Sequence, residues 1–68
     1  LGRAEEALLV LRDARGRFPA DFDIGSTLVT LLRDLGRQEE ARIEARELLS
    51  RFPQDPNASA LLQSLDGA

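Results

Sequence analysis

Ser, Thr, Asp, Glu and Arg are the side chains left to do chemistry in this 68-residue chain, which contains no His, Cys, Lys, Tyr or Trp. Ser26, Ser50, Ser59 and Ser64 have no imidazole or amine to take up a proton, so neither a nucleophilic triad nor a Ser–Lys dyad can be assembled within the chain. Helix caps and solvated surface are the expected roles for these serines. Glu40, Glu44 and Glu47 stand at i, i+4 and i+7 on one helical face, a spacing that could serve paired carboxylates for glycoside hydrolysis or a divalent cation. Arg37, Arg42 and Arg46 are interspersed among them, and the expectation is a water-facing stripe with helical ion pairs worth roughly a few tenths of a kcal/mol each. Gly2, Gly16, Gly25, Gly36 and Gly67 reproduce no phosphate-cradling spacing and read as punctuation between helices. With no thiol or imidazole, no cofactor or metal is expected. Nothing in the inventory points to an enzyme.

Composition narrows the partners as well. The formal charge of −3 opposes nucleic acid and anionic membrane surfaces, both of which need an excess of cations. Reading Gly36 and its neighbours as a DNA-binding helix-turn-helix would set Glu39, Glu40, Glu44 and Glu47 against phosphate. No apolar run approaches the roughly 18 residues of a membrane helix, so no membrane insertion is expected. The opening Leu1-Gly2-Arg3-Ala4 has neither an initiator Met nor a signal-peptide core and suggests a fragment of a longer protein. Cations that are all arginine suggest GC-rich coding and a bacterial source. Redox compartment is unreadable without cysteine, and the cytoplasm is the default expectation.

These residues must be positioned by helices. Ala4, Ala7, Leu8, Leu11, Ala14 and Phe18 form the stripe of an amphipathic helix over Arg3–Arg17, bounded by Gly2 and Pro19. Asp21 or Asp23 can cap a second helix, about Asp23 to Leu35, with the stripe Phe22, Leu28, Leu31, Leu32 and Leu35. Gly36 stands where a left-handed terminator is needed. Glu39 and Glu40 lie in the first turn of a third helix, whose stripe is Ala41, Ala45, Leu48, Leu49 and Phe52 and which ends near Arg51 because Pro53 disfavours helical geometry in Phe52. Asp55-Pro56 starts a short fourth helix carrying Leu61, Leu62 and Leu65 and stopped by Asp66-Gly67.

The chain also repeats itself. Gly2-Arg3, Glu5-Glu6-Ala7 and Arg17-Phe18-Pro19 recur as Gly36-Arg37, Glu39-Glu40-Ala41 and Arg51-Phe52-Pro53, at a constant offset of 36 − 2 = 34 residues. A 34-residue unit of helix, Gly turn, helix and terminal Pro resembles the tetratricopeptide repeat. By that resemblance residues 1–21 are the second half of a repeat, 22–55 a complete repeat, and 56–68 the first or capping helix of the next. The family's usual large aromatic, Leu-Gly pair and Tyr in the first helix correspond here to Gly25, Leu28-Val29 and Leu32. The small, aromatic and small places of the second helix hold Ala41, Ala45 and Leu48, with Pro53 at the end. The fold class implied is all-α: antiparallel helix-turn-helix repeats of an α-solenoid, about four helices.

The resemblance implies a non-catalytic scaffold that binds a partner protein or peptide through a concave groove. Its floor would be Asp23, Ser26, Thr27, Thr30, Arg33 and Asp34, continuing to Asn57, Ala60, Leu61 and Ser64. Arg33, the only cation among these, is expected to meet a carboxylate or backbone carbonyl. The Lys and Asn clamp with which cochaperone members hold a terminal carboxylate is absent. The alternative function is a structural C-terminal cap that mediates homo-oligomerisation. Leu9 and Ile43, one repeat apart, and Val10 lie outside the inward stripes; inter-repeat packing is the expectation for them, and a self-association patch the alternative.

Overall fold

The computed structural model describes residues 2–66 and contains α1 (Arg3–Arg17), α2 (Phe22–Asp34), α3 (Gln38–Arg51) and α4 (Pro56–Asp66), with no strand among those residues. The all-α architecture expected from the sequence is what is observed. Leu1 lies outside the described residues, as does Gly67, assigned above to a helix stop.

Local chemistry explains the boundaries. Asp21 Oδ1 accepts a hydrogen bond from the Ile24 amide at 3.2 Å and caps α2, which begins at Phe22 instead of Asp23. At α4, Asp55 Oδ1 accepts from the Asn57 amide at 2.8 Å. Helices α1 and α3 have no capping side chain and instead place Glu5-Glu6 and Glu39-Glu40 in their first turns, against the positive end of the helix dipole. After α2, Gly36 adopts φ +78°, its amide donates to the Arg33 carbonyl at 3.0 Å, and the Arg37 amide donates to the Leu32 carbonyl at 2.9 Å. This pair of bonds is a Schellman terminator. Phe18 and Phe52, each before a proline, leave helical geometry at nearly the same angles, φ −127° ψ 65° and φ −126° ψ 62°. The repeat seen in the sequence is therefore a repeat of conformation.

Packing centres on α2, the one helix among the described residues whose backbone comes close to that of all the others. Its Leu28, Val29 and Leu32 are fully buried, joined by Leu8 of α1, Ala41, Ala45 and Leu48 of α3, and Ala58 and Leu65 of α4. Val29 and Ala58 were not in the stripes read from periodicity. Conversely Phe18 and Leu35, expected inside, are exposed, because each follows the last helical residue and turns away with the chain. Leu9 and Ile43, expected in inter-repeat packing, are also exposed. The helices form a slab of 35 × 29 × 14 Å with no buried polar residue.

The departures from the family signature compensate one another. Gly25 stands where a large aromatic is usual and Leu48 where a small residue is usual, and a Cβ built on Gly25 would lie 2.6 Å from Leu48 Cδ1. The bulk has moved from α2 to α3 across one contact. At the chain's other end, Gln38 Nε2 donates to the Leu65 carbonyl at 3.0 Å and Arg42 Nε lies 3.0 Å from Asp66 Oδ1, which fixes the end of α4 on the start of α3.

Leu28→Ala and Leu48→Ala are each expected to destabilise by about 2 to 5 kcal/mol, enough to unfold a thin domain, as read by thermal or urea melting. Gly25→Ala discriminates the swap further. In the wild-type background the crowding against Leu48, about 1 to 3 kcal/mol, offsets the roughly 1 kcal/mol helix-propensity gain, so no stabilisation is expected. In the Leu48→Ala background the same substitution recovers about 1 kcal/mol. Additive effects in this double-mutant cycle would show that the two positions are independent.

Candidate functional site

Phe22, Ser26 and Thr30 of α2 face Asn57, Ala60, Leu61 and Ser64 of α4 across one open cleft. On each helix the lining residues recur at three- and four-residue steps, so they share a face by helical geometry. Of the expected floor residues, Ser26, Thr30, Asn57, Ala60, Leu61 and Ser64 come together in this cleft. Thr27 lies one step round α2, in an adjoining depression with Ser26, Thr30, Leu31 and Asp34. Asp23 lines a separate depression with Arg17, Phe18 and Pro19, beside the α1–α2 turn. Arg33 lines none of these hollows, and its Nη2 is 3.6 Å from Asp34 Oδ1.

Phe22 was assigned to the inward stripe and instead contributes to the cleft wall, although its i, i+4, i+8 relation to Ser26 and Thr30 marks all three as one face. Its ring meets Phe52 edge-on, centroids 5.4 Å apart and planes at 89°. That contact ties the first residue of α2 to the end of α3 and orients the cleft's mouth; such pairs contribute about 0.5 to 1.5 kcal/mol. The cleft itself contains polar hydroxyls and apolar carbon and no charged side chain.

The carboxylate stripe of α3 has a different role from the one its spacing suggested. Its residues face the arginines of α1: Arg12 Nη2 is 2.9 Å from Glu40 Oε1, Arg15 Nε is 3.0 Å from Glu44 Oε1, and Arg15 Nη1 is 2.9 Å from Glu47 Oε2. Arg37 pairs with Glu40 and reaches back to Glu5 at 3.2 Å. No Cα of α1 approaches a Cα of α3 within 8 Å among the described residues, so it takes long side chains such as these to bridge the two helices. The expected local pairs are present, Arg37 with Glu40 and Arg42 with Glu39, and Glu47 stays half in water; what the spacing did not show is that the same stripe is also a seam to α1.

Position in the seam sets the ionisation of its members. Hydrogen bonds from Arg37 and then Arg12 hold the Glu40 carboxyl below the usual carboxylate range. Glu40 in turn raises the Arg37 guanidinium above its ordinary value. Burial pushes the Glu44 carboxyl up, against the pull of Arg15. Its side chain is 11% exposed, and neither Glu44 Oε1 nor Arg15 Nε has an aligned hydrogen bond, so their contact is coulombic.

Opposite pH dependences follow for the two carboxyls. A depressed folded pKa makes Glu40 contribute stability that is present above its unfolded value and lost as pH falls through the folded one; a raised pKa makes Glu44's contribution favourable in acid and lost as pH rises. Glu40→Gln is therefore expected to lower the melting temperature at neutral pH and to converge with wild type below about pH 4. Glu44→Gln should melt no lower than wild type at neutral pH. Melting curves across that range check both signs.

The chain matches the model of the tetratricopeptide repeat over residues 1–65. No curated protein matches it. No solved structure matches it either. The family is a non-catalytic repeat scaffold whose members generally mediate protein–protein interaction. With the 34-residue periodicity, the helix-turn-helix geometry and a match that covers nearly the whole sequence in agreement, the chain belongs to the tetratricopeptide repeat family.

Proposed function

We propose that this chain is a non-catalytic scaffold segment that holds a partner protein or peptide in the groove between α2 and α4. The observation that supports this reading is the single open cleft that brings Ser26 and Thr30 together with Asn57 and Leu61. The floor is neutral and mixes carbon with hydroxyl, which suits an extended backbone with small or apolar side chains seated near Phe22 and Leu61. The repeat division 1–21, 22–55 and 56–68 belongs to this reading, with α2 and α4 as equivalent first helices. Thr27 and Asp34 extend the floor along α2, and Asp23 and Arg33 stand at its margins. Contact area is small, so affinity should be modest.

The experiment is an NMR titration with the parent protein's partner or, failing one, a peptide library. Shifts at Thr30, Asn57 and Leu61 are expected. Ala60→Gln places a longer neutral side chain in the cleft at an exposed position, and should weaken binding about tenfold with melting unchanged. Shifts restricted to the Glu40, Glu44 and Glu47 face would end the groove reading.

One observation favours a second reading, in which α4 is a capping helix. The positions one repeat after the fully buried Val29 and Leu32 hold Gln63 and Asp66, both exposed and polar, as the outer face of a terminal helix requires. The exposed Leu9 and Val10 of α1 and Ile43 of α3 then become the self-associating surface. Light scattering separates the readings: a concentration-dependent dimer is expected from the cap with its self-associating surface, and a monomer from the groove scaffold.

A further inference from the structure

The hydrogen-bonding sense of the groove is fixed by where its hydroxyl protons go. Ser26 Oγ donates to the Asp23 carbonyl at 3.3 Å, Thr30 Oγ1 to the Ser26 carbonyl at 2.9 Å, and Ser64 Oγ to the Leu61 carbonyl at 2.8 Å. A hydroxyl has one proton and two lone pairs, so each of these side chains, once bonded to its own helix, offers the groove acceptors alone. Charge is segregated in the same sense. Of the nine arginines, α1 holds Arg3, Arg12, Arg15 and Arg17, α3 holds Arg42, Arg46 and Arg51, and Arg37 lies in the turn between α2 and α3. The groove-forming helices keep Arg33 alone, against Asp23, Asp34 and Asp66, a net of −2 within the chain's −3. Asp66 is taken up by Arg42 at 3.0 Å; Asp34 is held more loosely by Arg33, at 3.6 Å, and borders the adjoining depression with Ser26 and Thr30.

We infer that the groove takes an extended, lysine- or arginine-bearing segment of a partner protein, which donates hydrogen bonds to Ser26, Thr30 and Ser64, and that it turns away acidic segments. The inference rests on the groove reading above and gives it a chemistry. An incoming carboxylate would meet lone pairs on three hydroxyls and, from the adjoining depression, the field of Asp34 partly offset by Arg33, with the Asn57 side-chain amide as its one donor in the cleft lining. An ammonium brings three donors and a guanidinium five, and both gain from the same field. Because the groove is open, attraction is screened over about 8 Å at physiological salt, and the preference is moderate. Arg17 and Arg51, at the ends of α1 and α3 near Asp21, moderate it at the α2 N-terminal end.

The test is an NMR titration of the whole chain with three capped peptides that are identical except for Lys, Gln or Glu at alternate positions. Shifts at Ser26, Thr30 and Ser64 are expected, with the Lys peptide binding about tenfold more tightly than the Glu peptide at low salt and the ratio shrinking as salt rises. Asp34→Asn should narrow that ratio. Ser64→Ala, at an exposed position, should weaken the Lys and Gln peptides alike by about threefold without changing the melting temperature. Equal or tighter binding of the Glu peptide at the same three residues overturns the inference and leaves the groove standing. Shifts confined to the Glu40, Glu44 and Glu47 face, or no shift with any peptide at millimolar concentration, overturn the groove along with it.

Discussion

Burial of Leu28, Val29 and Leu32 on α2 is the interaction on which the other elements depend. Each remaining helix packs against α2, and α1 and α3, whose backbones stay farther apart, are bridged by long charged side chains. The close approach of α3 is permitted by Ala41 and Ala45, both without exposed surface, and by the absence of a side chain at Gly25, into whose space Leu48 projects. A slab 14 Å thick has no second layer of core to share the load, so loss of one α2 leucine removes contacts to neighbouring helices at once.

The seam between α1 and α3 adds a different kind of constraint. Solvated ion pairs contribute little energy each, but several of them in register fix which turn of α1 faces which turn of α3. Glu40 is shared by Arg12 and Arg37, and Arg15 is shared by Glu44 and Glu47, so each side chain is ordered partly by another pair. Only Glu44 is deep enough for burial to dominate its ionisation. Apolar contact supplies the stability of the fold, and the charges specify how one repeat is set against the next.

Much of this was legible in the sequence where the signal is local. Gly36 at positive φ, the caps Asp21 and Asp55, and the helix ends before Pro19 and Pro53 each follow from the chemistry of a residue and its near neighbours. The residues misread are those whose surroundings come from far along the chain. Glu40, Glu44 and Glu47 look like a solvated stripe because Arg12 and Arg15, which they face, are some thirty residues away, with |i−j| of 28 and 32 for two of the pairs. Phe18 and Leu35 continue the apolar periodicity, yet the helix has ended before them, and periodicity carries no meaning past its last turn. The Gly25 and Leu48 departures each weaken the family signature when read singly, because a volume exchange is visible only across the contact.

The groove shows how the fold's economy leaves a surface free for other work. The buried apolar residues of α2, Leu28, Val29 and Leu32, are committed to the core, so its remaining face can carry Ser26 and Thr30 beside Phe22 at little cost. Their hydroxyls bond back to carbonyls of the same helix, which satisfies the proton without a partner and leaves the lone pairs outward. Ser64 repeats the arrangement on α4. Arginine, meanwhile, is concentrated in the seam and in the helix ends of α1 and α3, where it bridges one helix to the other. An acceptor-lined, cation-poor groove is thus the reverse side of an arginine-stitched back: the same allocation of charge that sets the repeats in register determines the chemistry left facing the groove.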